Sequence, residues 1–322
     1  MVFRRDDAWV WDFWFAVPGG TSGEVHLFYL FAPRSLGDPE LRHQNARIGH
    51  AVSADLRSWR DLGPALPDAV PGAPDDRASW TGCVVRDHDG LWRMFHTGIA
   101  EAEDGTVQRV VEARSHDLMS WRRTDLRLEA DPRWYEPQDW RDPWVLWDGD
   151  AGLWRMYLCA RAGTGDRHGR GVVAHLTSPD LATWTVGPPV AAPGELRQLE
   201  VPQVVPCGSR LALLFCANDA DHTPERLRRG ARPEYGTHVL YGDRLDGPFV
   251  LEGDDFLSGD NGPSLYAGRA IEHGGRWWFL AWTRLDDSGA FVGELSDPFP
   301  LDVVADSLVV DFGPLARPRP RV

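Results

Sequence analysis

Three acidic residues stand where an ionised side chain is hard to keep. Asp12 lies inside Trp9-Val10-Trp11-Asp12-Phe13-Trp14-Phe15, among five aromatic rings and a valine. Asp142 lies in Trp140-Arg141-Asp142-Pro143-Trp144, and Glu200 in Gln198-Leu199-Glu200-Val201-Pro202-Gln203. The first run shows neither polar/apolar alternation nor a helical period, so it reads as a strand buried on both faces or lining a pocket. An ionised carboxylate in such a place is costly unless it is paired, hydrated or part of a site. A turn cap or a partner for a buried Arg is the structural alternative. Carboxylates sharing one pocket repel, and each raises the pKa of the others. Hydrolysis of a glycosidic bond is the reaction class that uses such a cluster. One carboxylate attacks or activates water, a second stays protonated and donates to the leaving oxygen, and a third grips sugar hydroxyls beside an oxocarbenium-like transition state.

What could bring these distant acids together is an internal repeat. The pattern Ser-x-Asp-Leu-x-x-Trp occurs as "SADLRSW" at 53–59, "SHDLMSW" at 115–121 and "SPDLATW" at 178–184. Weaker copies follow as "LDGPF" at 245–249 and "SDPFP" at 296–300, giving five units marked by Asp55, Asp117, Asp180, Asp246 and Asp297. A second series keeps the same beat: "EVHLFYLF" at 24–31, "LWRMFHTG" at 91–98, "LWRMYLCA" at 153–160, "RLALLFCA" at 210–217 and "RWWFLAWT" at 276–283. These aromatic and β-branched runs, bounded by Gly, Asp and Pro, read as strands. Units of about 60 residues hold about four strands each. The expected fold is therefore all-β: one five-bladed β-propeller spanning residues 1–322, with four-stranded antiparallel blades around a central channel. In the repeated motif, Asp starts a turn, and Leu and Trp pack between blades.

The three acids fall in a different slot, ahead of the second series. "SWTGCVV" at 79–85 occupies it in the second unit and "GPSLYAGRA" at 262–270 in the fifth. Equivalent slots of successive blades face the same axis, so Asp12, Asp142 and Glu200 are expected to converge at one end of the channel.

Composition narrows the class further. The net charge of −14, from 34 basic and 48 acidic residues, argues against nucleic acid or an anionic membrane as partner. The chain has no lysine, which excludes Schiff-base chemistry on one. Cys83, Cys159, Cys207 and Cys216 form no CxxC pair, so zinc and thioredoxin-type chemistry are not expected. Three of them (Cys83, Cys159 and Cys216) lie in apolar strand-like runs and read as small core residues. The N-terminus "MVFRRDDAWVW" does not read as a signal peptide, and no run of apolar residues is long enough to span a membrane. The expectation is a cytoplasmic protein with a small carbohydrate or glycoside as partner, no cofactor and no metal, and an oligomeric state left open.

The motifs resemble those of the five-bladed propeller glycosidases of the invertase/levansucrase (β-fructofuranosidase) superfamily. "VWDFW" is similar to the levansucrase nucleophile motif and departs from the Asn-Asp-Pro-Asn-Gly form of invertases. "WRDPW" matches the Arg-Asp-Pro motif, "LEVPQ" the segment carrying the acid/base Glu, and "SWTGCVV" and "GHAVSADLRSW" two further invertase segments. The resemblance implies Asp12 as nucleophile, Asp142 as transition-state stabiliser and Glu200 as general acid then base. It further implies that Thr81 hydrogen-bonds Asp12, that Trp14 and Trp80 wall the furanose ring, and that Arg141 binds hydroxyls or tunes a neighbouring acid. Gln203 and Tyr266 lie in slots that would also line the pocket. The implied function is a retaining glycoside hydrolase that releases a terminal furanosyl residue such as β-fructofuranosyl or transfers it by transglycosylation. The readings beside it are an inverting arabinofuranosidase/xylosidase-type propeller, a phosphorylase with Arg141 and Arg161 beside the acid, and a non-catalytic sugar-binding propeller. Carboxyl separation distinguishes the first two, about 5–5.5 Å for retention against about 6.5–9.5 Å for inversion.

Overall fold

The structure is a computed structural model describing residues 2–252, 255–259 and 264–313. Gly262 and Pro263 of the fifth slot, and the tail "PLARPRPRV", lie outside the described residues.

The strands form five antiparallel sheets in chain order. Blade 1 contains β1 (Ala8–Ala16), β2 (Val25–Pro33), β3 (Arg47–Ser53) and β4 (Arg60–Pro64). Blade 2 contains β5 (Ala78–Arg86), β6 (Trp92–Ile99), β7 (Gln108–Ser115) and β8 (Arg122–Leu128). Blade 3 contains β9 (Tyr135–Asp148), β10 (Leu153–Ala162), β11 (Gly171–Ser178) and β12 (Thr185–Ala191). Blade 4 contains β13 (Glu200–Cys207), β14 (Arg210–Ala217), β15 (Gly236–Gly242) and β16 (Phe256–Gly259). Blade 5 contains β17 (Leu265–His273), β18 (Arg276–Leu285), β19 (Phe291–Leu295), β20 (Phe299–Val304) and β21 (Ser307–Val310). The first strands β1, β5, β9, β13 and β17 pack against one another in a ring, so the molecule is the expected five-bladed propeller. Its last blade departs from four strands. There the third position is shared, because β19 pairs with Trp282, Thr283 and Leu285 of β18 while β20 pairs with Trp278 and Phe279.

Burial follows blade geometry. Inner strands are covered on both faces by neighbouring blades, which is why β6 is buried along its whole length and β2 along most of it, polar residues such as His26, Arg93 and His96 included. Outer strands such as β8, "RRTDLRL", alternate and carry charges that discourage edge-to-edge pairing. The second series of sequence repeats is β2, β6, β10, β14 and β18. The Ser-x-Asp-Leu-x-x-Trp repeats are the turns before β4, β8 and β12. In each, the Asp carboxylate accepts backbone N–H groups two and three residues on, and the Trp indole donates to the Leu carbonyl. Trp121 and Trp184 then pack edge-on against Phe28 and Phe95 of the preceding blade. All four cysteines are buried and free. No helix of the described residues is long and apolar enough to cross a membrane.

One irregularity recurs in all five blades. The innermost strand carries one extra residue against its neighbour, between Trp11 and Phe13, Trp80 and Gly82, Arg141 and Trp144, Glu200 and Gln203, and Tyr266 and Arg269. These are β-bulges, which bend a strand and re-aim a side chain. Asp142, Val201 and Ala267 take up left-handed backbone there, with φ of 60°, 52° and 50°. For a β-branched residue such as Val201 that conformation is a true outlier, and it costs about 1–3 kcal/mol.

The bulges need close packing behind them. At Gly82 an added Cβ would lie 2.4 Å from the Phe95 carbonyl oxygen and 2.9 Å from the His96 Cβ. Gly82→Ala is expected to lower the unfolding free energy by about 1–3 kcal/mol through overpacking. Denaturant unfolding checks this, and an unchanged midpoint would show that the bulge tolerates the methyl group.

Candidate active site

The bulges of three blades bring Asp12, Asp142 and Glu200 to one cavity of about 760 Å³ at an end of the channel. Asp12 is the extra residue of β1. Its Oδ2 accepts a hydrogen bond from Thr81 Oγ1 at 2.5 Å, and its Oδ1 accepts one from Trp282 Nε1 at 2.9 Å. Thr81 is itself the extra residue of β5, so the bulges of two adjacent blades meet. Glu200 opens β13; its Oε1 accepts from Arg141 Nη2 at 2.7 Å and its Oε2 from the Tyr266 hydroxyl.

Asp142 uses the strained backbone around it. Its N–H donates to Thr97 Oγ1 at 2.9 Å, and its Oδ2 accepts the N–H of left-handed Val201 at 3.1 Å. Arg141 Nε lies 3.6 Å from the same oxygen, so one guanidinium is shared between Asp142 and Glu200. That fork is fixed by Asp139 at 3.1 Å and Gln198 at 3.1 Å, while Gln198 also donates to Asp139 at 2.9 Å.

The electrostatics follow from burial. Loss of water pushes the Asp12 carboxyl above the ordinary aspartate range; Thr81 opposes the shift and Glu200 adds to it. Burial likewise pushes Asp142 up to about 7, with Arg141 opposing and Asp12 and Glu200 adding. A carboxylate held by two neutral donors beside two more carboxyls is suited to attack an electron-poor carbon. A neighbour held between a cation and a hydroxyl is suited to move a proton.

The structure places four of the six expected binding residues at the cavity: Trp80, Thr81, Arg141 and Tyr266. Trp14 and Gln203 are corrections. In a regular strand Trp14 would share the face of Asp12. The bulge at Asp12 breaks the alternation, so Trp11 and Asp12 both line the cavity, while Trp14 is fully buried and stacked on Phe28. Gln203 spends both amide atoms on the backbone of Ala270, each at 2.8 Å, and so joins blade 4 to blade 5. Tyr266 lines the cavity but also holds Glu200. Arg161 stands beside Glu136 and Asp139, at 3.6 and 3.7 Å, rather than forming an anion cradle.

Sequence reasoning missed Trp11, His43, Asp139, Tyr235 and Trp282. Trp282 had a usable signal: it sits in the fifth copy of the second-strand repeat, directly opposite Tyr266. His43 and Tyr235 come from the connections between the second and third strands of blades 1 and 4, outside the repeated motifs. His43 is carried by a 3-10 helix, Pro39–Asn45, and its carbonyl accepts the Trp80 indole N–H at 2.6 Å. Among the described residues no group of three or more His, Cys, Asp or Glu side chains is arranged to hold a metal ion.

Comparison with known proteins bears on the family and the fold. The family model for the glycosyl hydrolases family 32 N-terminal domain matches residues 18–294. The chain is 31% identical over 201 residues to beta-fructofuranosidase, insoluble isoenzyme 7, of Oryza sativa subsp. indica, covering 59% of this chain and 31% of that protein. It is 27% identical to fructan 1-exohydrolase w3 of Triticum aestivum, covering 65% of this chain and 37% of that one. The chain thus spans about a third of the length of these curated relatives. Among solved structures, inulosucrase from Halalkalicoccus jeotgali bound to kestose superposes with a TM-score of 0.78 at 22% identity, covering 96% of this chain and 90% of that one. Bacillus subtilis levansucrase superposes with a TM-score of 0.73 at 14% identity, covering 97% and 88%. These two likenesses show the fold.

Asp142 sets a pH-dependent stability. A carboxyl raised in the folded state binds more protons folded than unfolded, so stability falls as pH rises from about 4 to about 7. Asp142→Asn removes the buried charge. It is expected to melt a few degrees above the parent at pH 8, with the difference gone near pH 4. Melting curves across pH check this, and a variant less stable than the parent at pH 8 would contradict it.

Proposed function

The chain belongs to glycosyl hydrolases family 32, and from that premise we propose that it is a retaining glycosidase that hydrolyses or transfers a terminal β-fructofuranosyl residue. The observation carrying this reading is the meeting of three carboxyls from three blades, each held at both oxygens or by its neighbour's backbone, in one cavity large enough for a small oligosaccharide.

In this mechanism the Asp12 carboxylate attacks the anomeric carbon. The bond to the leaving oxygen breaks, and that oxygen takes its electron pair and the proton of Glu200. A glycosyl ester on Asp12 results. A water or a sugar hydroxyl then attacks the same carbon, Glu200 accepts its proton, and Asp12 departs as carboxylate. Asp142 binds ring hydroxyls where positive charge develops. Trp11 and Trp80 offer aromatic faces to the C–H faces of the sugar. Five carboxyls line the cavity (Asp12, Glu40, Asp139, Asp142 and Glu200) against three arginines, Arg42, Arg141 and Arg284. That balance disfavours phosphate as the attacking group and so the phosphorylase reading.

The test is turnover of sucrose and short fructans, with NMR of the anomer first released. Retention is expected. Asp12→Asn should lose on the order of 10⁴-fold in kcat or more. Glu200→Gln should lose much less on a substrate with a good leaving group than on sucrose, because the lost proton donor matters only for a poor one. Release with inversion, or turnover confined to arabinosides or xylosides, would move the chain to the inverting class. A second prediction concerns Thr81. Asp12 must be ionised to attack, and Thr81 stabilises that form, so Thr81→Val should shift the acid limb of kcat/KM to higher pH. An acid limb that stays in place would separate Thr81 from the nucleophile's charge.

A further inference from the structure

Arg269, on the innermost strand of the last blade, is completely buried beneath the three acids. Its guanidinium is anchored on carbonyls. Nη1 donates to the carbonyl of Pro202 at 2.8 Å and of Val201 at 3.4 Å, and Nε donates to that of Phe13 at 3.4 Å. The group lies over the Trp144 ring at 5.3 Å, and its Nη2 has no partner among the described residues. Phe13 follows Asp12, Val201 and Pro202 follow Glu200, and Trp144 stands two residues after Asp142. One side chain therefore touches all three acid-bearing bulges from below, and it projects from the bulge of the fifth blade.

Packing alone does not call for a cation here. A buried guanidinium with an unused donor is costly, and an apolar plug of similar volume would fill the space more cheaply. We propose that Arg269 is a positioning residue that supplies fixed positive charge through the pocket floor, biasing Asp12 toward its reactive carboxylate form, and that its carbonyl contacts hold the three bulges in register. The proposal rests on Asp12 as nucleophile. Burial depresses the Arg269 guanidinium, while Asp12 and Asp142 raise it, with the Cys216 and Cys83 thiols also facing it. Reciprocally, Arg269 acts against the upward shift of Asp12, alongside Thr81 and Trp282 and against Glu200. On the far side of Asp142 stands Arg141, which is already shared with Glu200.

Two variants separate charge from scaffolding. Arg269→Gln keeps N–H donors for the carbonyls and removes the charge; Arg269→Lys keeps the charge and loses the fork. Side-chain carboxyl titration by ¹³C NMR and the pH profile of kcat/KM on a fructoside are measured for each. In Arg269→Gln the Asp12 midpoint and the acid limb should both rise by about one pH unit. In Arg269→Lys both should stay within a few tenths of a unit of the parent, even if the melting temperature falls further. A midpoint unmoved in Arg269→Gln, or moved as far in Arg269→Lys, overturns the proposal and leaves a structural bolt. If the fructoside reading itself is wrong, the kinetic arm is silent in the parent too, while the NMR arm still distinguishes the variants.

Discussion

Carboxylates gathered on the axis of a ring repel one another, and with little water between them the repulsion is several times stronger than in solution. Much of the inner architecture answers that constraint. Asp12 in blade 1 is held by Thr81 of blade 2 and Trp282 of blade 5. Glu200 in blade 4 is held by Arg141 of blade 3 and Tyr266 of blade 5. Asp142 in blade 3 draws on the backbone of blade 4. Each acid depends on blades other than its own. The electrostatics of the pocket and the packing of the ring are therefore one problem with one solution.

The repeated bulge is the device that makes the solution available. A regular strand would aim alternate side chains at the axis and bury its N–H groups in the ladder. One extra residue per inner strand turns a chosen side chain inward and frees backbone N–H groups, such as those of Asp142 and Val201, to bind polar partners. Left-handed Asp142, Val201 and Ala267 are the strained points of that device. Strain of this kind survives where surrounding contacts over-determine it, and Arg269 with its three carbonyl contacts is one such contact.

Much of this was legible in the residues. The five-unit beat fixed blade number, because Asp55, Asp117 and Asp180 recur in identical turns and the second strands share a composition. The slot argument also placed Asp12, Thr81, Asp142 and Glu200 together, since equivalent positions in a radial repeat share an axis. Two readings failed for different reasons: Trp14, which the resemblance implied, lies buried on Phe28 beyond a bulge that breaks the strand's alternation, and Gln203, read from its slot, spends both amide atoms on Ala270 of the next blade; sequence alternation carries no mark of either. The fifth blade's split third position was hidden for a related reason, as a short strand such as β19 has no periodicity long enough to read. His43 and Tyr235 were out of reach because they sit on connections between second and third strands, which obey no repeat.

Closure of the ring has a consequence for when chemistry can begin. The indole that holds Asp12 is 270 residues away along the chain, and Arg269 reaches Phe13 across a gap of 256. The Leu295 N–H also donates to the carbonyl of Phe3. Such distant pairings form late and slowly, because they wait on the loop closures between them. A partly synthesised chain can hold four blades and still lack the donor that orients Asp12. On the proposed function, turnover would then report on completed assembly as directly as on the site itself, and a ribosome-bound precursor would remain chemically silent until its last blade docks against its first.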